Sequence, residues 1–420
     1  MPSFIDRLLG REARNVNDPT KPVSAASLAD WLGVGGRSAA DVIVNTDTAM
    51  QVPAVSAAVN FLSGTLASLP IHVYRNTRKG REQIRSSTVS KLLSGAANPE
   101  TTTYDLIRGF YFDVLTHGRG YIYIEKNSIS GRIEGLYRLD PRAVQVERVA
   151  GKTFYKYQVD SGRTITYDAS EVVDVAYQIK SDGITHISPI NANKDTIGLA
   201  IASTQYGSRF FAGGGVPPFV VSGSFKSESA LIRAGADLRE AVRKAAKEQR
   251  TALTMPEGLE IKPIGTDPEK AQMNETQRWI VEQVSRIYDL PPSVLHDLSH
   301  GTYSNVEQQG LALAKHVLTR YAVQLEQQLN LKIFGMTGSR FVEVSLKGLQ
   351  RGAFSERMDG YRTAISAGFM TPAEVRRLEN LPEIEGSDEL FMQGANMPLN
   401  KLGKDPAPQP QQPQEEADDE

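Results

Sequence analysis

A diproline, Pro291-Pro292, separates two stretches that are both strongly helical in pattern. Upstream, Asp267-Pro268-Glu269 supplies a capping carboxylate, a proline where no amide hydrogen is needed, and an acid at the positive end of the helix dipole. Met273, Ile280, Val284 and Ile287 then recur on one face. Downstream, Ser304 and Glu307 form a capping box. Leu311, Ala314, Leu318, Tyr321, Leu325 and Leu329 carry a second apolar face to Phe334, roughly 45 Å of helix. Because prolines stop a helix, the chain must leave one helix, cross a short polar loop and begin another.

That loop contains Ser293, His296, Asp297, Ser299, His300, Thr302 and Tyr303, a composition that resembles an active site. The spacing argues against it. His296 and His300 would share a metal ion only if both stood on a helix, which the diproline and Gly301 oppose. A Ser293, His296, Asp297 triad would draw all three groups from adjacent positions of one loop, whereas triads converge from separated segments. The chain has no cysteine, which excludes thiolate chemistry and disulfides and fits a cytosolic origin. Gly213-Gly214-Gly215 follows a helix and precedes two prolines, without the Lys-Ser/Thr of a phosphate loop, and reads as a helix stop. His72, His117, His186 and His316 are scattered singly. The reading is non-enzymatic, with no cofactor and no metal.

No apolar run reaches the roughly 20 residues that span a membrane. The start, "MPSFIDRLLGREARN", lacks the apolar core of a secretory signal. The net charge of −2 conceals an acidic end: residues 405–420 hold six acids and no base, leaving 47 bases against 43 acids in the rest. A body so near neutrality disfavours tight sequence-specific DNA binding.

Residues 11–50 show little periodicity and are expected to form a mobile arm, with order beginning near Pro53. Val55, Val59, Leu62 and Leu66 mark a helix that Pro70 ends, and "IHVYR" follows as a strand. A second helix, 103–117, carries Leu106, Phe110 and Val114. From 121 to 178 the period becomes two: "YIYIEK", "VQVERV", "FYKYQV", "TITY" and "VVDVAY" read as short antiparallel strands. A helix over 190–211 follows. Residues 227–250 carry a narrow stripe of Leu231, Leu238, Val242 and Ala245 among crowded charges, which suits either a helix between like neighbours or a plain solvated surface helix. "TALTMPEGLEIKPIGT" reads as two short strands around Pro256-Glu257-Gly258. After the strand "RFVEVSL", a last helical region has a capping box at Thr371 and Glu374, and the tail is low-complexity. The fold class is α+β, with a helical hairpin bearing a small β tip.

The order and wording of several stretches resemble the portal proteins of tailed bacteriophages of the lambdoid siphophage type. The matching segments are "LASLPIHVYR", "ANPETTTYDLIRGFYFDVLTHGRGYIYIEK", "LYRLDPRAVQV", "DGITHISPI", "RFFAGGGVPP", "EQVSRIYDLPPSVLHDLSHGTYSNVEQQ" and "AGFMTPAEVRRLENLP", spanning about 50 to 395. One departure is His186, where the family more often has glycine before Ser-Pro.

The resemblance implies a head-to-tail connector: a ring of about twelve subunits around a DNA channel at one capsid vertex, used in genome packaging and ejection. Its parts would be a wing over 51–224, stem helices at 225–250 and 267–290, and a clip at 251–266. A tunnel loop would occupy 291–304, a long wing-crossing helix and return 305–350, and a helical crown 351–403, with a disordered acidic tail at 404–420. The tunnel loop would act by position, and it carries no Lys or Arg to grip phosphate. Stem contacts between head-to-tail neighbours would fall to Arg233, Asp237, Arg239, Glu240, Arg243 and Glu248. Clip contacts would fall to Glu257, Glu260 and Lys262. Expected partners are further copies of the chain, double-stranded DNA passing non-specifically, the large terminase subunit, a head–tail adaptor, the major capsid protein and scaffold, and no membrane. The expected place is the virion, with assembly in the host cytoplasm. The rival readings are a non-portal DNA-binding scaffold protein and a nucleotide-binding enzyme.

Overall fold

The structure is a computed structural model that describes residues 36–78, 80–159, 162–212, 219–223, 227, 229, 232–233, 235–237, 240–241, 244, 259–263, 270–295, 312–335, 338–346, 354–379, 381–382 and 384–391. It divides into two compact units, Met1–Leu346 and Lys347–Glu420.

The first unit is organised on two helices and a sheet. Helix α1 (Thr46–Met50) has a reciprocal capping box between Asn45 and Thr48. Helix α2 (Pro53–Ala67) starts with proline in its first turn and buries Val55, Ala58, Val59 and Leu62 completely. Strands β1 (Ile71–Thr77) and β2 (Gly80–Gln83) and helix α3 (Thr88–Ser94) follow. Helix α4 (Thr103–Thr116), capped by Thr102, packs on α2 with Leu106, Ile107, Phe110, Tyr111, Val114 and Leu115 all buried. Burying such side chains supplies about 1.5–3 kcal/mol each.

Strand β3 (Arg119–Lys126) lies between β4 (Ile133–Leu139) and β8 (Val172–Ala176), antiparallel to both. A second antiparallel sheet joins β5 (Val144–Val149), β6 (Lys152–Gln158) and β7 (Thr164–Asp168). Its alternation sends Val146, Tyr155 and Tyr167 to one face, where Tyr121 and Val172 cover them. The period-two region is thus a half-buried pair of sheets. Strand β4 escapes the alternation because Gly135 interrupts it; the Tyr137 ring lies where a Cβ at Gly135 would stand.

Gly118 joins α4 to β3 at φ +84°, and a Cβ there would lie 2.5 Å from the Ile187 carbonyl oxygen. Only glycine meets both demands. Ile187 belongs to the segment 178–188, which also holds His186. That turn is closed by Asp182, whose carboxylate accepts from Ile184 N and Thr185 N at 2.9 and 2.8 Å. Beneath it Arg119, 4% exposed, donates through Nε to Asp174 at 2.7 Å, and Tyr155 Oη donates to the same carboxylate at 2.8 Å.

Helices α5 (Pro189–Ala192) and α6 (Lys194–Ala212) are separated at Asn193, so the helix expected over 190–211 is broken near its start. Beyond α6, strand β9 (Phe219–Gly223) pairs antiparallel with β10 (Leu259–Pro263). The described positions between 229 and 244 are helical. Helix α7 (Lys270–Ile287) is followed by a 3-10 turn, Pro292–Leu295. The next helical run, described from Ala312, passes through a π turn, Leu313–Leu318, continues as α8 (Thr319–Leu329) and ends in a second π turn, Asn330–Phe334. Strand β11 (Arg340–Val344) returns to β1, giving the order β11–β1–β2. In the second unit, α9 (Phe354–Ser366) and α10 (Pro372–Leu378) are joined by Arg357 and Tyr361, which both donate to Glu379. The capping box at Thr371 and Glu374 is formed.

Three expectations change. Residues 36–50 do not belong to a mobile arm: Val44 and Ala49 are fully buried, and Asp195 accepts from Ala39 N at 2.8 Å. The described partner of the second tip strand, 259–263, is 219–223 rather than 251–255, which lie outside the described residues. The long helix is interrupted by π turns, the first supported by Thr319 Oγ1 donating to Ala314 O at 2.9 Å; residues 305–311 lie outside the described set.

Asp113 is fully buried against Arg138, whose Nε and Nη2 donate to it at 2.6 and 2.7 Å. Burial outweighs that pair and pushes the carboxyl up to about 6. The folded carboxyl therefore titrates above the unfolded one, and its contribution is fully present below about pH 4 and lost as pH rises through about 6. Asp113→Asn is expected to gain on the parent chain by about 2 kcal/mol between pH 4 and pH 8, measured by urea unfolding. His117 and His186, held down by burial, have the opposite slope but are common to both chains. A pH-independent difference would show that the carboxyl is not desolvated.

Candidate functional site

The end of α7 is built into the core. Ile280 and Val284 lead one face inward, and Tyr288, fully buried, follows Val284 at helical spacing. Tyr288 Oη donates to Leu115 O at 3.2 Å, at the end of α4. Tyr177 Oη donates to Ile287 O at 2.6 Å, satisfying a carbonyl that the ending helix leaves open. Asp289 then takes φ +55°, a left-handed step, and Leu290 N returns to Ser285 O at 2.8 Å. The diproline and the 3-10 turn follow, with Leu295 buried.

The start of α8 comes to the same place. Tyr111 Oη donates to Tyr321 O at 2.9 Å, and the two rings meet edge to face. Arg320 Nη1 lies 3.0 Å from Asp289 Oδ2, and its guanidinium sits over the Tyr321 ring at 5.0 Å. Burial raises the Tyr111 and Tyr288 phenols, and it pushes Tyr321 up to about 12 although Arg320 opposes this. These hydroxyls are therefore neutral at any physiological pH: Tyr111 and Tyr288 donate, and Tyr321 accepts from Arg320 Nη2. The Asp289–Arg320 pair ties the end of α7 to the start of α8.

The expected site residues distribute unevenly. Ser293 lies half-buried in the 3-10 turn at the loop's start. His296, Asp297, Ser299, His300, Thr302 and Tyr303 lie outside the described residues, as do Glu257, Arg239, Arg243 and Glu248. Glu260 and Lys262 lie on β10, opposite Ser222 and Val220. Arg233, Asp237 and Glu240 occupy helical positions; Glu240 is 3.5 Å from Lys244 with both side chains 70% exposed. Sequence reasoning missed Asp289, Arg320 and Tyr111. Tyr288 was within reach, since it extends the stripe of Ile280 and Val284 by four residues.

The neighbour of α7 among the described residues is also unexpected. α7 packs on α6, where Gln277 Nε2 approaches Ser203 Oγ at 3.5 Å. The β9–β10 ladder, from Phe219 opposite Pro263 to Gly223 opposite Leu259, continues that register, and both pairings are centred within a residue of Glu240–Ala241. α6 and β9 run out, and β10 and α7 run back.

A family model described as phage portal protein matches residues 53–380. The probable portal protein of Streptomyces phage phiC31 is 29% identical over 391 residues, covering 89% of this chain and 84% of its own length. The portal protein of Enterobacteria phage HK97 is 25% identical over 405 residues, covering 94% and 91%. Among solved structures, an HK97 family phage portal protein from Corynebacterium diphtheriae has TM-score 0.55 at 16% identity, covering 73% of this chain and 98% of that one. A chain from the neck of a native gene transfer agent particle, computed with C12 symmetry, has TM-score 0.52 at 18% identity, covering 86% and 99%. At these identities the structural likeness shows the fold.

Because Asp289 and Arg320 are each about half exposed, a double-mutant cycle of Asp289→Ala and Arg320→Ala is expected to give a coupling of about 0.5 kcal/mol. Tyr111→Phe, which removes a fully buried donor, is expected to cost about 1 kcal/mol in urea unfolding. A zero coupling would show that this pair does not hold the loop's base.

Proposed function

The chain belongs to the phage portal protein family, a structural class of the virion's head-to-tail connector, and we propose that about twelve copies of it form a ring around a DNA channel. The genome would pass through this channel during packaging and ejection. The observation that carries the proposal is the fixed end of α7 just before the loop: a loop meant to line a channel by position needs a rigid point of departure, and here Tyr288 ties that end to α4 and Asp289 ties it to Arg320 of α8.

The hairpin register supports a revised division of the chain. We place the stem at α6 and α7 rather than at 225–250 and 267–290, because α6 packs along α7 and the β9–β10 ladder continues their register. The charged helical stretch between 229 and 244 lies between β9 and β10 in chain order, and we take it as the clip together with Glu257 and with Glu260 and Lys262 on β10. The clip is the surface for the large terminase subunit and later for the head–tail adaptor. Residues 291–304, with His296 and His300, form the tunnel loop. The wing is built from α1–α5 with the β1–β8 and β11 sheets, the second unit forms the crown, and the major capsid protein and scaffold meet the outside of the ring. The near-neutral body suits DNA that slides without being gripped.

The native mass of the purified chain, with electron-microscope images of the same sample, tests this reading. A species near twelve times 46.0 kDa with a central hole is expected. A 46.0 kDa monomer persisting across salt and concentration would remove the channel argument.

A further inference from the structure

Residues 36–44 form a tight hairpin in which Arg37 pairs with Ile43 and Val44 N donates to Gly36 O at 3.3 Å. The hairpin is seated on the first turns of α6. Ala39 N donates to Asp195 at 2.8 Å. A Cβ at Gly198 would overlap the Ser38 side chain and stand 3.4 Å from Val44 Cγ2, so the absence of a side chain there is what admits the hairpin. The preceding segment, residues 1–35, lies outside the described residues, and it joins the hairpin at Gly36, beside Val44 and so beside Gly198.

Next to that seat α6 carries an apolar stripe. Leu199 and Tyr206 are 39% and 49% exposed, and Ala202, half-buried, lies between them on the same face. At about 100° of rotation per residue, Gly198 stands to one side of Leu199. Ser203, which meets Gln277 of α7 at 3.5 Å, stands to the other. The stripe is therefore bordered by the hairpin and by α7, and it runs for roughly 10 Å at 1.5 Å per residue. Directly above Gly198, on the hairpin's own side, α6 presents the exposed polar side chains of Gln205 and Arg209 instead.

The segment before Gly36 has the pattern that fits this stripe. Leu28, Trp31 and Leu32 recur at the spacing of one helical face, Ser27 and Asp30 have capping-box spacing, and Gly33 follows the last of them. Trp31 is five residues from Gly36, so the link spans at most about 18 Å when fully extended, enough for every level of the stripe. We propose that residues 28–32 dock on α6 of their own chain, with Trp31 over Ala202, Leu32 towards Leu199 and Leu28 towards Tyr206. A path over Gln205 and Arg209 gains no apolar contact, whereas on the stripe the segment and Leu199 leave water together. The largest side chain meets the smallest floor. The contact lies within one chain and does not depend on the ring reading.

The chain has two tryptophans and no cysteine, which makes both a fluorescence and a disulfide readout specific. In the full chain with Trp279→Phe, Trp31 is the sole tryptophan, and its emission is expected at shorter wavelength than in urea, with resistance to acrylamide quenching. Adding Leu199→Asp is expected to move that emission to longer wavelength and to remove the protection. Leu32→Cys together with Leu199→Cys is expected to oxidise within one chain, consuming both thiols while the mass on a denaturing gel without reductant stays at 46.0 kDa. Trp31 quenched as readily as in urea, protection that Leu199→Asp leaves intact, or thiols that remain free would each overturn the docking. Chains linked in pairs would assign the segment to a neighbouring copy and overturn it equally. Should Leu199→Asp fail to fold, the disulfide decides alone, since cysteine keeps both positions apolar.

Discussion

Tyr288 couples the helical hairpin to the body of the protein. Its ring completes the stripe begun by Ile280 and Val284, and its hydroxyl reaches the last turn of α4. Around it Tyr177, Tyr111 and Tyr321 repeat one device, an aromatic body packed in the core with a phenol donating to a helix carbonyl or meeting another ring. A helix that leaves a globular body normally frays where it departs. This one is satisfied at its last carbonyls and closed by a left-handed residue, so the direction of the hairpin is set by the core.

The same construction explains why the following loop can lack chemical groups and still matter. The helix before it ends at Asp289, which is paired with Arg320 of α8, and Arg320 also lies over the Tyr321 ring, while the loop contributes small polar side chains. A π turn widens the later helix at Leu313–Leu318, just before Arg320 and Tyr321.

Much of this was legible in the chain. The helices α2, α4 and α7 follow from apolar residues at helical spacing, the β3–β8 region from alternation, and α10 from its capping box. The β4 strand was hidden by Gly135, and α3 is only seven residues long, too short to show a period. The order of residues 36–50 was hidden because Val44 and Ala49 gain their burial partly from α6, which is distant in sequence. The packing of α7 was hidden for a related reason. The charges of 227–250 look like an interface, whereas α6, with its Gly, Ala and Thr, looks like part of the body until α7 is laid beside it.

The chain by itself determined which segments are helices and strands, that the diproline ends one helix and a polar loop follows, and that the whole is an α+β protein. Those features rest on local rules: periodicity, capping, and the inability of proline to continue a helix. Only the tertiary structure decided that Asp289 meets Arg320, that Tyr111 reaches Tyr321 and Tyr288 reaches Leu115, and that α6 lies beside α7. Each of those contacts joins residues far apart along the chain. Their energies come from burial and from groups withdrawn together from water, and no local pattern records which distant residue will be withdrawn beside which.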